Sequence, residues 1–346
     1  MNQKVKITAV GCGYWGTNLV RNIAANPHAE LEAICDPDPA ALERVGSRHP
    51  DVERMSRLED VFARGSSDAV VLATPSGQHA AQALAALRNK MHVLVEKPMA
   101  TTVAEAVELA DTVERQGRVL MVGHTFLYNN VVREVKQRLG AGDLGTLRSA
   151  YSQRLNLGRF RRDSDVMWTL APHDLSIFNY WFDSRPHRVS AHGRTHVLVE
   201  EQVADVSFCL LEYPDGRSAH LHLSWLDPQK VRRMVLVGDD KMLVYDDMDQ
   251  SRHIQLFDKG VERDHQNPLQ DYADFHTRLR TGDLVVPNIR LSEPLAVEIA
   301  HFVDCVQSGS HPLTDHRHGV DVTCALAALE ESMRDSGRPV TVEYPQ

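Results

Sequence analysis

The chain has no long apolar run. Near its start the longest such stretch, Ile7 to Val10, is broken by Thr8 and closed by Gly11, far short of the roughly 18–20 residues of a membrane span or a secretory apolar core. A soluble, cytoplasmic protein with no membrane partner is expected. Positive charge is not in excess: 38 Lys and Arg stand against 47 Asp and Glu, a formal charge of −9, so no general field draws in phosphate backbones or anionic lipid. Nucleic acid is therefore not an expected partner. Cysteine is scarce and scattered. Cys12, Cys35, Cys209, Cys305 and Cys324 form no CxxC pair, which argues against a disulfide framework or a thiolate zinc site and for reduced, buried thiols.

What remains is an ordinary globular composition, 42% hydrophobic and 25% charged over 346 residues, in a chain longer than one core usually fills. Two domains are expected. Residues 4 to 125 alternate β-branched runs with amphipathic stretches, the pattern of βαβ units and a parallel sheet. Strands are expected over Val5–Val10, Leu31–Cys35, Ala69–Thr74, His92–Glu96 and Val119–Gly123. Helical seams lie between them, and Thr102 with Glu105 has capping-box spacing. Beyond about residue 145 the rhythm changes. Alternation over Arg217–Leu226, with turn residues at Pro214-Asp215-Gly216 and Gly238-Asp239-Asp240, predicts antiparallel strands. Late helices are expected over Pro294–Val306 and Val320–Met333, stopped by Gly309 and Gly337. The reading is an α/β protein. An N-terminal Rossmann dinucleotide-binding domain spans 1–125, with the helices around 293–336 packing back on it. An α+β domain with a large, mostly antiparallel open sheet spans 126–346 and serves substrate binding and oligomerisation.

Gly11-Cys12-Gly13-Tyr14-Trp15-Gly16 is a GxGxxG between the first strand and the first helix. Its glycines allow a tight turn, close approach of a pyrophosphate and close helix–strand packing, while the helix N-terminus offers free N–H groups. Asp36, 20 residues past Gly16 at the end of the second strand, can accept from the adenosine ribose hydroxyls and repel a 2′-phosphate. NAD is therefore the expected cofactor, with Arg44 and Arg57 as the cations that would favour NADP.

The fourth strand ends in Glu96-Lys97-Pro98. Together with the glycine loop, Ala73-Thr74-Pro75-Ser76-Gly77-Gln78-His79 and Ala171-Pro172-His173-Asp174, this strongly resembles the Gfo/Idh/MocA oxidoreductases over nearly the whole chain. Gln153-Arg154-Leu155-Asn156-Leu157-Gly158-Arg159 and Trp168-Thr169-Leu170 make it most similar to the nucleotide-sugar 3-dehydrogenases. The resemblance implies a catalytic Lys97, often followed by a cis peptide to Pro98, an active-site His173, and Glu96, Thr74, Ser76 and His79 on the cofactor side. It also implies that the open sheet forms a homodimer or homotetramer. One departure stands out: where the commonest family pattern has an Asp four residues before the histidine, this chain has Thr169, which argues against the polyol branch.

Chemically, His173 suits a general base. Read as a first-turn residue after Pro172, it would be kept neutral by the helix dipole. Lys97, desolvated beside an oxidised nicotinamide, is expected to titrate low and to orient the hydroxyl or serve as the base itself. Arg154, Arg159, Arg161 and Arg162 are candidates for substrate anions, and Asn156 and Thr169 for sugar hydroxyls. No metal is expected, although His220 with His222, and His311 with His316 and His318 in a loop, lie close in sequence. The expected function is NAD-dependent oxidation of C3 of a UDP-hexose or UDP-hexuronic acid to a 3-keto sugar, ahead of amino-sugar formation. The alternatives are a dehydrogenase or 3-keto reductase for a free sugar, sugar phosphate or cyclitol, and a non-catalytic dinucleotide sensor.

Overall fold

A computed structural model describes residues 4–158, 160–162, 164–263 and 277–345. The chain divides into two compact units, one formed by residues 1–129, 292–327 and 343–346, the other by residues 130–291 and 328–342.

The first unit is a parallel sheet with the order β3-β2-β1-β4-β5-β6. Its strands are β1 (Val5–Val10), β2 (Ala29–Cys35), β3 (Glu53–Met55), β4 (Ala69–Leu72), β5 (His92–Glu96) and β6 (Leu120–Gly123), connected by α1 (Tyr14–Ala25), α2 (Pro39–Gly46), α3 (Leu58–Arg64), α4 (Ser76–Arg88) and α5 (Val103–Gln116). β4 and β6 are buried along their whole length, as strands covered on both faces must be. The order reverses at β1/β4, so the switch point faces the glycine loop. Thr102 and Glu105 close the capping box that their spacing predicts. A 3₁₀ turn, Thr125–Tyr128, follows β6, and α8 (Pro294–Ser308) packs against that turn and against α1.

The second unit begins with α6 (Asn130–Gly140) and is built on a sheet of order β14-β13-β12-β11-β7-β10-β9-β8-β15 among the described residues. Its strands are β7 (Leu147–Leu157), β8 (Arg188–Arg194), β9 (Val206–Glu212), β10 (Ser218–Ser224), β11 (Leu226–Gly238), β12 (Met242–Asp246), β13 (Ile254–Arg263), β14 (Thr277–Val285) and β15 (Val340–Thr341). All pairings are antiparallel except β7 with β10. The long helix α7 (Val166–Phe182) packs on β9 and β10. Along β7, Ala150, Ser152 and Arg154 are buried while Tyr151 is exposed, the two-residue period of a sheet with one covered face. The final helix α9 (His316–Arg334) has residues in both units, divided after Ala327.

The five cysteines are free and buried. His316 and His318 lie in the first turn of α9, where a loop is expected from sequence, because α9 starts four residues before the anticipated Val320. Among the described residues no helix is long and apolar enough to cross a membrane.

Candidate active site

In the first unit the glycine loop turns on Gly11 at φ +92° and brings Gly16 so close to Gly11 O that a Cβ there would collide with it. α1 starts with Gly13 as N-cap, without a side-chain cap and without an acidic residue in its first turn, and a Cβ on Gly13 would meet nothing within 4 Å. First-turn N–H groups therefore face open space with no competing carboxylate, a cradle that fits a dinucleotide pyrophosphate. Tyr14 is exposed in this loop.

Asp36 Oδ2 accepts from Cys12 N at 2.6 Å and Oδ1 from Asp38 N at 2.8 Å, which fixes the carboxylate just past β2, against the glycine loop. Arg44 donates to Cys12 O at 2.8 Å, so a cation shares that corner; Arg57 pairs with Glu59 instead. Burial pushes the Cys12 thiol up to about 12, which makes it a filler and not a nucleophile.

On the other half of the sheet, Ser76 opens α4 and Thr74 donates to Gln82 Oε1 at 2.6 Å. His79 is buried, with its ring nitrogens 2.8 Å from Pro98 O and Thr74 O. It clamps together the two loops expected to line the cofactor. The Lys97–Pro98 peptide is cis. Trp15 Nε1 donates to Glu96 Oε1, linking the glycine loop to the end of β5. Burial pushes the Glu96 carboxyl up to about 7, against the pull of Trp15 and Lys97.

In the second unit, α7 does not start at Pro172. Asp165 is its N-cap, accepting from Trp168 N at 2.8 Å, and Pro172 lies inside the helix. The expectation that His173 is a first-turn residue is thus corrected. It sits mid-helix, where the dipole gives no reason for neutrality, since that effect is confined to the terminal turns. Thr169 and His173, four residues apart, share one face of α7.

Arg154 also needs correction as an anion-binding candidate. Its Nε and Nη2 donate to Asp174 Oδ1 at 3.0 and 2.6 Å, Ser152 donates to Oδ2 at 3.1 Å, and the residue is 7% exposed. The inward parity it shares with Ala150 and Ser152 is a sequence signal that could have revealed this. Arg162 is exposed and pairs with Glu201, and Arg159 lies outside the described residues. Arg161 lines a cavity of about 480 Å³ together with Asn156, Gly158, Phe160, Thr169, Leu170 and Trp225. Phe160 meets the Trp225 ring edge-on at 5.9 Å. Sequence reasoning missed this aromatic corner, and it missed Glu298, wholly buried in α8 of the first unit.

Residues 5–124 match the model of an oxidoreductase family with an NAD-binding Rossmann fold (GFO_IDH_MocA), and residues 132–244 match the GFO/IDH/MocA C-terminal domain. The scyllo-inositol 2-dehydrogenase (NAD(+)) of Bacillus subtilis (strain 168) is 24% identical over 99% of this chain and 98% of its own. Among solved structures, the WlbA dehydrogenase from Bordetella pertussis, in complex with NADH and UDP-GlcNAcA, has a TM-score of 0.78. It is 20% identical and is matched over 99% of this chain and 100% of its own. The UDP-N-acetylglucosamine 3-dehydrogenase GnnA from Acidithiobacillus ferrooxidans also has a TM-score of 0.78, at 22% identity over 97% of this chain and 99% of its own.

Proposed function

The chain belongs to the Gfo/Idh/MocA oxidoreductase family, and from that premise we propose that this NAD-dependent sugar or polyol oxidoreductase acts on a nucleotide-linked sugar. It oxidises the C3 hydroxyl of a UDP-hexose or UDP-hexuronic acid to the 3-keto sugar, a product suited to transamination into an amino sugar. The cavity of the second unit carries this reading. Asn156 and Thr169 offer partners for sugar hydroxyls, Phe160, held edge-on against the buried Trp225, offers apolar surface to a pyranose ring, and Arg161 offers a guanidinium to a carboxylate or phosphate. The fold it shares with an enzyme solved with UDP-GlcNAcA and with one named for UDP-N-acetylglucosamine gives the same direction.

Bound NAD supplies the hydride acceptor. The uncapped first turn of α1 holds its pyrophosphate, Asp36 its adenosine ribose, and Glu96, Lys97, Thr74 and Ser76 border the reacting end. His173 takes the hydroxyl proton, while Lys97 orients the hydroxyl and stabilises the developing alkoxide. With Arg154 committed to Asp174, anion recognition falls to Arg161. Replacing Lys97 by Ala is expected to lower NADH formation by about 10²-fold or more; normal turnover would overturn this role.

A second reading, oxidation of a free cyclitol or sugar, is favoured by the full-length likeness to the inositol dehydrogenase. Thermal unfolding with NAD and each candidate separates the two. A ligand at about 100 times its Kd adds roughly 2.7 kcal/mol. A UDP-sugar that raises the Tm beyond NAD alone and then yields NADH absorbance supports the first reading. Stabilisation by scyllo-inositol with silent UDP-sugars supports the second.

The uncovered sheet face, with Tyr151 40% and Phe208 51% exposed beside His220 and His222, is the surface on which a second copy of the chain docks in this reading. A dimeric or tetrameric mass in sedimentation equilibrium is expected; a monomeric mass at micromolar concentration would remove the dimer.

A further inference from the structure

In the first unit, three buried polar atoms without a hydrogen-bond partner belong to one cluster: Glu298 Oε1, His124 Nδ1 and His318 Nε2. Glu298 is wholly buried, and its Oε2 accepts from Thr125 Oγ1 at 2.9 Å. Glu96 lies over the neighbouring Gly123, where a Cβ would be 2.9 Å from Glu96 Oε1. Both carboxyl groups therefore border residues 123–125. His124, at the centre of that stretch, meets His318 edge-on at 5.1 Å.

The groups facing Glu96 are Trp15 from the glycine loop, Lys97 beside it, and Glu298 from α8. The two histidines bring no compensating charge. Burial holds His124 well below its ordinary value, helped by His318 and Lys97, and holds His318 down to about 4. Two carboxylates in so little water cannot both stay ionised. Burial, reinforced by the charge of Glu96, keeps Glu298 protonated well above the usual carboxylate range, so Glu96 is the member that titrates near neutrality.

Glu96 ends β5, on the far side of the β1/β4 switch from Asp36 at the end of β2. A dinucleotide crossing that switch with its ribose on Asp36 directs its nicotinamide toward the β5 side. The oxidised ring carries a positive charge and the reduced ring does not. We propose that Glu96, buried at the end of β5 with Glu298 as its carboxyl neighbour across residues 123–125, makes cofactor binding proton-linked and selective for redox state. Ionised Glu96 favours the oxidised dinucleotide, and protonated Glu96 admits the reduced one at no disadvantage. The inference rests on NAD binding alone and not on the identity of the sugar.

The test uses the whole chain with no sugar present, measuring NADH affinity by its fluorescence and NAD affinity by displacement of NADH, at pH 6 and pH 8. NAD is expected to bind about tenfold more tightly at pH 8, with NADH changing less than twofold. Glu96→Gln should abolish the pH dependence for NAD, whereas Glu298→Gln, which mimics a neutral acid, should keep it. Equal pH dependence for NAD and NADH, or a wild-type response in Glu96→Gln, or its loss in Glu298→Gln, would overturn the proposal. If Glu96→Gln does not fold, calorimetry of the wild type at pH 6 in two buffers of different ionisation enthalpy decides. Release of about one proton on binding NAD supports the proposal, and release of none refutes it.

Discussion

Each unit buries a cluster of ionisable groups, and the two are assembled on opposite terms. In the second unit Arg154, Ser152 and Asp174 satisfy one another between β7 and α7, cation against carboxylate with a hydroxyl on the second oxygen. In the first unit Glu96 and Glu298 are like groups, and Glu298, His124 and His318 each leave a buried atom unmatched. Buried polar groups are normally paired, and exceptions call for an explanation. The matched cluster fixes how a helix lies on a sheet. The unmatched one stores a protonation choice beside the glycine loop and Lys97.

The largest effect is expected at Arg154. Replacing it with Met leaves the buried Asp174 carboxyl without its cation and is expected to cost about 3–5 kcal/mol in urea unfolding, while Arg154→Met with Asp174→Leu should recover most of that. A loss under about 1 kcal/mol for the single variant would mean that the pair is not desolvated. The next largest effect is in the pH dependence of stability. The Glu96 carboxyl moves from 4.5 up to about 7 on folding, so the native state keeps a proton that the unfolded chain has lost. The resulting stabilisation is full below pH 4.5 and disappears as pH rises to about 7. Stability of the wild type relative to Glu96→Gln should therefore fall across that window, by at most about 3 kcal/mol, and then level off. His92, pushed down to about 4 by burial and Arg118, pulls the opposite way below pH 6.5 in both proteins and cancels in the difference. Smaller again is the contrast at Glu298. Ala opens a cavity and strands the Thr125 hydroxyl, costing about 2–3 kcal/mol. Gln replaces a neutral acid by its isostere and should cost about 1 kcal/mol or less. Equal losses would mean that Glu298 is ionised.

What the sequence made legible follows the same divide. β1, the glycine loop and α1 are contiguous, so strand, turn and helix chemistry announce one another, and Asp36 lies at a fixed distance along the chain. β3 is only Glu53–Met55, too short and too polar to show alternation, and it forms because Cys35 can pair with Met55. The start of α7 was hidden by Pro172, which resembles an N1 residue, whereas the working signal was Asp165 three residues before Trp168. Nothing local marks the parallel pairing of β10 with β7, and nothing in an amphipathic helix marks Glu298 as a buried acid. Both depend on partners more than 60 residues away in sequence, and only the assembled unit supplies them.

The smallest effect expected is at a network that the sequence displays in full. Thr102 Oγ1 accepts from Glu105 N at 3.2 Å, and Glu105 Oε2 accepts from Thr102 N at 3.1 Å, both at the exposed start of α5. Thr102→Ala removes one acceptor, yet the freed amide can turn to water, so a loss of about 1 kcal/mol is expected, with Thr102→Ser close to wild type. Neither value should change between pH 6 and pH 8, because the acceptor removed is a hydroxyl. Thr102→Ala removes one hydrogen bond at an exposed helix start, whereas Arg154→Met removes at least two from a buried carboxylate. If Thr102→Ala proved as costly as Arg154→Met, burial would not be what separates the clusters. The distinction between a fixing network and a titrating one would then have to rest on charge alone.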